Sequence, residues 1–526
     1  MRAKYLLLLT SGAIASLCLS SCGSKTKSDQ YDKYGRLKIS ISNLYFDDYQ
    51  GGDSYLEHIE NEFGVKFDLY SYPWDTWDQK VSGEVNGNNL SDVFHANIDS
   101  YNFGSSYKFW AEEGIIKPLP SNLSKWPHLQ EMLENTSNID ALRLNGRLYG
   151  IPIAKNTSDY TTSFSPFTYI YRRDWAKKYN VYQENDEYTW EQFEALLKAF
   201  KQNLSSGVYP LGDVEWGAPS ITNFYKQVPH CFAYDEVKGE YVNNYTTDAY
   251  IQGLNEAKRF KQQGYYYGAQ NEAADGTLNK MYYGNKIGVL YENLSYSNFN
   301  VLRKQLITSN TNTANFNIDD AVAIMKIRGT DGKYVLEGTD NWFSMTLFDN
   351  KISNKKQEKI LDVLDWLLSE EGTRFAVYGF EDYDYEMVNG QPVIKEEAWP
   401  KELNGQYARK DNGGKYLRYL ASLGYDTLNY DPLTHKPSIE YLESWEAEMK
   451  TALDNGELKV LKERKEVMWL TTKLKSKLSG GMRKAALKNA MKYMWNTDIT
   501  TIEEFKATFG YPWPEVLKEI NDALKK

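Results

Sequence analysis

Between Leu37 and Ala96 the apolar residues change period four times. In R-L-K-I-S-I-S, Leu37, Ile39 and Ile41 alternate with polar residues, as a strand requires. D-S-Y-L-E-H-I-E-N-E-F-G follows, where Tyr55, Leu56, Ile59 and Phe63 share one helical face and Gly64 supplies a C-terminal stop. V-K-F-D-L-Y alternates again through Val65, Phe67 and Leu69, a helical segment runs from about Thr76 to Val85, and S-D-V-F-H-A reads as a third strand. Strand, helix, strand, helix, strand implies right-handed crossovers and a mostly parallel sheet with helices on both faces. The predicted class is α/β.

In such sheets a ligand binds beyond the carboxyl ends of the strands, where loops and helix N-termini converge. That rule selects Asn43, Tyr45, Asp47 and Asp48 after the first strand, and Trp74, Asp75, Trp77 and Asp78 after the second. After the third it selects His95, Asn97, Asp99 and Tyr101. Carboxylates and amides at neighbouring strand ends can accept from and donate to adjacent hydroxyls. Trp74 and Trp77 are three residues apart at a helix start, so one can cap the core while the other faces the crevice.

The first residues read differently. Arg2 and Lys4 precede an apolar run from Tyr5 to Leu19, which has secretory-signal length and is too short to span a membrane. The run closes on Leu-Ser-Ser-Cys, which resembles the bacterial lipobox; the resemblance implies a signal peptide over 1–21 and a lipid-modified Cys22 as first mature residue. The polar stretch behind it, within 22–35, is expected to be a flexible tether. Losing Arg2 and Lys4 takes the formal charge from -10 to -12, which argues against nucleic acid or an anionic surface as main partner. Beyond Cys22 only Cys231 remains, so no intramolecular disulfide is available. No H-E-x-x-H, C-x-x-C or phosphate-loop motif is present, and no cofactor or metal is predicted.

Asn145 to Pro152 reads N-G-R-L-Y-G-I-P, and T-Y-I-Y-R-R-D-W-A-K-K-Y follows, with a capping box at Thr189 to Gln192 ahead of Phe193, Leu196, Leu197 and Phe200. Further on come G-N-K-I-G-V-L-Y-E-N and I-L-D-V-L-D-W-L-L-S-E-E-G-T-R-F-A-V-Y-G. In this order the fragments resemble the family 1 extracellular solute-binding proteins of ABC importers, the maltose-binding-protein-like group. The chain departs from that pattern at Gly288-Val289, where Ala-Met is usual, and after Gly379. The resemblance implies a two-lobed periplasmic-binding-protein fold, with lobe 1 from 36–152 plus 321–378 and lobe 2 from 153–320 plus 379–526, ending in a helix-rich region. It adds Trp216, Tyr291, Glu292 and Tyr296 from the second lobe, and Trp342 near the return to the first, as candidate ligand contacts.

The implied function is a monomeric, membrane-anchored receptor that delivers a small polar solute to the permease subunits of an ABC transporter. Aromatic residues make 15% of the chain, and an aromatic face with polar edge contacts suits a hydroxyl-rich ring. An oligosaccharide is therefore the preferred ligand, although a peptide or other polar solute can use the same side chains. The alternative is a secreted glycosidase-like lipoprotein, for which the paired acids Asp47-Asp48, Glu112-Glu113, Glu370-Glu371 and Asp382 with Asp384 are the candidates.

Overall fold

The computed structural model describes residues 26–524 except 45, 47–48, 50, 74–75, 98–103, 137–138, 155–166, 214–219, 229–231, 236, 268–275, 295, 314–315, 339–341, 396, 399–416, 418–419, 421–431, 462–479 and 512. The lipobox and Cys22 lie outside the described residues.

The alternation read from the sequence becomes β1 (Leu37–Asn43), β2 (Val65–Ser71) and β3 (Val93–Ala96), with β1 parallel to both neighbours. Leu37, Ile39 and Ile41 are buried on one face, as their period requires. Between β1 and β2, helix Ser54–Phe63 starts on Asp53, whose carboxylate accepts from Tyr55 N and Leu56 N, and stops at Gly64. Helix Trp77–Gly87 follows β2. β4 (Gly150–Ala154) closes this stretch behind an Asn145-Gly146 turn. Both turn residues have positive φ, 52° and 76°, and Leu144 and Arg147 exchange backbone hydrogen bonds across them. That geometry explains the N-G of the motif.

The chain then builds a second sheet. Its strands are β5 (Phe167–Arg172), β7 (Tyr209–Gly212), β10 (Ile287–Asn293) and β11 (Val322–Ile324), in the order β11-β5-β10-β7. Smaller pairings frame it: β6 (Glu187–Tyr188) with β12 (Lys326–Ile327), β8 (Phe232–Asp235) with β9 (Glu240–Asn243), and β13 (Tyr334–Glu337) with β17 (Leu458–Leu461). β14 (Trp342–Phe348) returns to the first sheet, whose order is β2-β1-β3-β14-β4, and a hairpin of β15 (Tyr385–Val388) and β16 (Gln391–Ile394) follows later.

In each of the two large sheets one strand is reversed. β14 runs antiparallel to β3 and β4, and β5 antiparallel to β10 and β11. These are the strands on which the chain arrives from the other lobe. Because β4 ends and β14 begins on the same side, the crossings leave and enter at the carboxyl ends of the remaining strands in both sheets. Topology alone thus aims both sets of strand ends at the crossings.

Sheet membership corrects the expected lobe boundaries. β11 pairs with β5, so the return to lobe 1 comes at β14 and not at Ala321. Nor does the first lobe end at Tyr378: Phe380 stacks on Tyr55 at 5.0 Å, the Tyr55 hydroxyl donates to Asp384 at 2.8 Å, and Leu417 and Leu420 lie in the first-lobe core. Helix Pro432–Asp454 then packs with the second lobe through Leu442, Trp445 and Met449. Among the described residues the chain accordingly passes between the lobes three times. The tether is also shorter than expected, because Lys27 to Gln30 are hydrogen-bonded to the first lobe.

The Thr189–Gln192 capping box forms as predicted, and a second one, Thr501 with Glu504, starts helix Ile502–Ala507 in the helical C-terminal region. The departure at Gly288 has a packing cause. A Cβ placed there would meet the buried Phe200 ring at 2.4 and 2.6 Å. Gly288→Ala is expected to destabilise the fold by about 1–3 kcal/mol through overpacking. A urea midpoint equal to wild type would show that the ring has room to move.

Candidate functional site

On the first-lobe side, three strand ends are cross-braced by one imidazole. His95 Nδ1 lies 3.1 Å from Asn43 Oδ1 and Nε2 lies 2.5 Å from Ser344 Oγ, tying β3 to β1 and β14. Asn43 Oδ1 can only accept, so Nδ1 carries the proton and Nε2 accepts from the serine hydroxyl. Ser344 reaches this position through an irregularity in β14, whose register against β4 shifts between Trp342 and Met345. The Trp77 indole donates to His95 O at 2.8 Å, and its ring sits 4.6 Å from the imidazole. Asn43, Trp77, His95 and Trp342 are all buried.

These residues form a floor. Trp77, expected as a possible ligand-facing wall, is only 4% exposed and its N–H is committed to the backbone. Burial pushes the His95 imidazole down to about 3, so it stays neutral. The sign for stability follows. Between about 3 and the unfolded value near 6.5 the unfolded chain binds the extra proton, so stability rises with pH across that window and is complete above 6.5. Taking the pH from 7.5 to 5 is expected to remove about 2 kcal/mol through His95. In urea unfolding at both pH values the gap between wild type and His95→Gln should narrow by that amount at pH 5; a constant gap would refute the assignment.

The second-lobe side is aromatic. Tyr291, near the carboxyl end of β10, lies 5.1 Å from Tyr169, 6.1 Å from Phe167 and 5.9 Å from Phe224, ring centre to ring centre. As a residue it is half-buried, packed against the second-lobe core, and burial pushes its hydroxyl well above the ordinary value. Behind the cluster, Asp213 follows β7 directly and is fully buried. Its carboxylate accepts from Ser220 N at 3.1 Å, from the Ser220 hydroxyl, and from the Tyr266 hydroxyl at 3.1 Å. The Tyr169 hydroxyl contacts Ser220 Oγ in turn. Burial pushes the Asp213 carboxyl up to about 7, against the pull of these donors. Ser220 precedes the short helix Ile221–Phe224, so Asp213 fixes the segment that carries Phe224.

Asn43, Trp77, His95 and Trp342 are thus placed in the first-lobe floor, with Asn97 half-buried just beyond β3. Tyr291 and the buried Glu292 lie just before the last residue of β10, and Tyr296 opens helix Tyr296–Ser309. Tyr45, Asp47, Trp74, Asp99, Tyr101 and Trp216 lie outside the described residues, as do Asp48 and Asp75. Asp213, Ser220, Tyr169 and Ser344 were not anticipated. Asp213 was findable, because Tyr209-Pro210-Leu211-Gly212 is an apolar run and the residue after a strand is where the rule looks.

Of the paired acids, three members have surroundings that the structure describes. Asp384 is buried, accepting from the Tyr55 hydroxyl and from Phe380 N at 2.8 Å each. Glu112 is solvated beside Lys108, and Glu370 is exposed in a first helical turn beside Arg374. Among the described residues no group of three or more acid, His or Cys side chains could hold a metal ion, and no helix is long and apolar enough to cross a membrane.

Residues 54–286 match the family described as bacterial extracellular solute-binding protein. No curated protein sequence matches the chain. Among solved structures, a calcium-free alginate-binding protein aligns with TM-score 0.65 and 14% identity over 93% of this chain and 98% of that one. The N-glycan transport solute-binding protein of Streptococcus pneumoniae aligns with TM-score 0.60 and 16% identity, over 93% and 98% of the two chains. An HMO-binding, ABC-transporter-associated solute-binding protein from Bifidobacterium longum infantis gives 0.56 and 14%, over 94% and 100%. At such identities the likeness establishes the fold. Over residues 54–286 the chain is thus similar to the bacterial extracellular solute-binding proteins, and over nearly its whole length it shares the fold of the solved structures.

Proposed function

We propose that the protein captures an oligosaccharide between its lobes at the outer face of the cell membrane and hands it, chemically intact, to the permease of an ABC importer. The observation that carries this reading is the convergence of strand carboxyl ends on the crossing side, with an aromatic cluster around Tyr291 in one lobe and a rigid polar floor around His95 in the other. A sugar ring has an apolar C–H face and a hydroxylated edge, so aromatic stacking on one side and hydrogen bonds on the other match it. Relatives sharing the fold are named for alginate, N-glycan and HMO ligands, which supports a glycan over a peptide. Contacts available only when both lobes reach the ligand would favour the closed form and so distinguish loaded from empty receptor for the permease. Acylation of Cys22 would hold the receptor beside that permease and raise its effective concentration there.

Calorimetry of the mature protein against a glycan and peptide panel tests this directly, with small-angle scattering of the best binder and analysis of the recovered ligand. The expected result is saturable glycan binding, a smaller radius of gyration when loaded, and unaltered ligand. Peptide binding in place of glycan would overturn the ligand class, and shortened glycan would overturn pure binding.

A further inference from the structure

The described chain begins at the end of the first sheet opposite the crossings. Lys27 Nζ donates to Leu90 O at 2.7 Å and lies 3.0 Å from Asp349 Oδ2 and 3.5 Å from Asp92 Oδ1. Lys27 N donates to Lys351 O at 2.7 Å, Lys38 N to Gln30 O at 2.8 Å, and the Ser353 hydroxyl to Asp29 at 2.8 Å. Asp92 directly precedes β3 and Asp349 directly follows the reversed β14, so both mark the amino end of β3. The two acids are buried, and Asp92 is shared with the buried Lys356 at 2.8 Å. Because β3 pairs with β1 only at Ile41 and Ser42, residues 27–31 fill the slot left beside the start of β1. The segment is a strap.

Around it the surface carries exposed tyrosines among lysines. Tyr31 and Tyr34 are 48% and 71% exposed. Lys355 Nζ donates to the Tyr31 hydroxyl at 2.9 Å, and Lys33 Nζ lies 4.8 Å from the Tyr34 ring centre; both lysines are exposed. Over the three segments 26–36, 88–92 and 349–356 the cations Lys27, Lys33, Arg36, Lys351, Lys355 and Lys356 face the anions Asp29, Asp32, Asp92 and Asp349, six against four, a local charge of +2 in a chain of -10. Exposed tyrosines among lysines match a bilayer interface, where an apolar ring with a polar tip sits at headgroup level and lysine meets anionic lipid.

We propose that this end of the first lobe is a membrane-docking face: the Lys27 strap lays Tyr31, Tyr34, Lys33 and Lys355 on the lipid surface and turns the binding side away from it. The inference rests on the reading that Cys22 is acylated. Only four residues, Gly23 to Thr26, separate that cysteine from Lys27, so at about 3.5 Å per step the anchor reaches no more than about 18 Å from the strap. Capture then faces the medium. Handing the ligand to a membrane pore requires the strap to let go, which lengthens the leash to the fourteen residues before β1, about 50 Å.

The test uses full-length acylated protein carrying Cys231→Ser and one reporter cysteine, either Asn354→Cys on the proposed face or Gln79→Cys in the first turn of the helix after β2. Each is labelled with a fluorophore and reconstituted in phosphatidylcholine vesicles containing about one-third phosphatidylglycerol and a headgroup quencher. Since the faces are about one strand length apart, roughly 20 Å, quenching at Asn354 should exceed that at Gln79 by about threefold or more. Lys27→Ala should bring the two toward equality. So should the exposed pair Lys33→Glu with Lys355→Glu, which touches no core residue. Equal quenching in acylated wild type, or a ratio indifferent to both variants, overturns the docking face while leaving the anchor intact. An intact mass without acyl chains overturns the anchor and this inference with it.

Discussion

Trp77→Ala is expected to lower folding stability by about 3–5 kcal/mol, the largest effect of any single truncation in the first-lobe floor. The indole is 4% exposed within the first-lobe core, packed 4.6 Å from the His95 ring, and its N–H satisfies the His95 carbonyl at 2.8 Å. Truncation leaves a cavity and orphans that acceptor, and the two penalties add. Against a total stability of about 5–15 kcal/mol for an ordinary domain, the loss approaches unfolding at 37 °C. Trp77→Phe keeps most of the ring and loses the hydrogen bond, so about 1–3 kcal/mol is expected. The pair separates floor from wall. If Trp77 only supports the site, Trp77→Phe should change glycan affinity by less than about threefold, under 1 kcal/mol. Urea unfolding gives the first quantity and calorimetry the second; stability within 1 kcal/mol of wild type for Trp77→Ala would refute the floor.

The early strands and caps were legible because local signals decide them. Leu37, Ile39 and Ile41 have no other way to bury one face, Gly64 stops its helix, and Thr189 caps the helix it announces. What the sequence could not supply was partnership across distance. Ser344 meets His95 only because β14 comes back between β3 and β4, a pairing between segments that the second sheet separates in the sequence. The boundary at Ala321 failed for the same reason, since Val322–Ile324 reads as a strand whichever sheet receives it. The aromatic excess was also divided in a way composition cannot reveal. Tyr171, Tyr188, Tyr245, Tyr250 and Tyr282 are fully buried second-lobe packing, whereas Tyr31 and Tyr34, of the same residue type, are exposed. The tether was misjudged because polar residues without periodicity look alike whether free or strapped by long-range contacts such as Lys27 with Asp349.

Asp213→Ala should be nearly as damaging, at about 3–5 kcal/mol, and should also reach the ligand. Removing the carboxylate leaves Ser220 N, the Ser220 hydroxyl and the Tyr266 hydroxyl without this acceptor, and each unsatisfied buried donor costs about 1–3 kcal/mol. The helix Ile221–Phe224 has no side-chain cap of its own from Ser220, so it loses the group that fixes its start, and Phe224 shifts against Tyr291 and Tyr169. Glycan affinity should fall about tenfold, 1.4 kcal/mol, without any ligand contact having been removed. The acid also carries a pH signature opposite to that of His95. Its folded value, about 7, stands above the ordinary value of 3.8, so the protonated folded form contributes stability that is complete below 3.8 and is lost as pH rises through 7. Between pH 5 and 7 the two groups work against each other, and wild type should be nearly flat there. Asp213→Asn removes the falling component and should leave stability rising with pH, while His95→Gln should leave it falling. Two variants with the same slope would show that these buried groups do not govern acid stability, and a fully stable Asp213→Ala would show that Ser220 and Tyr266 find other acceptors.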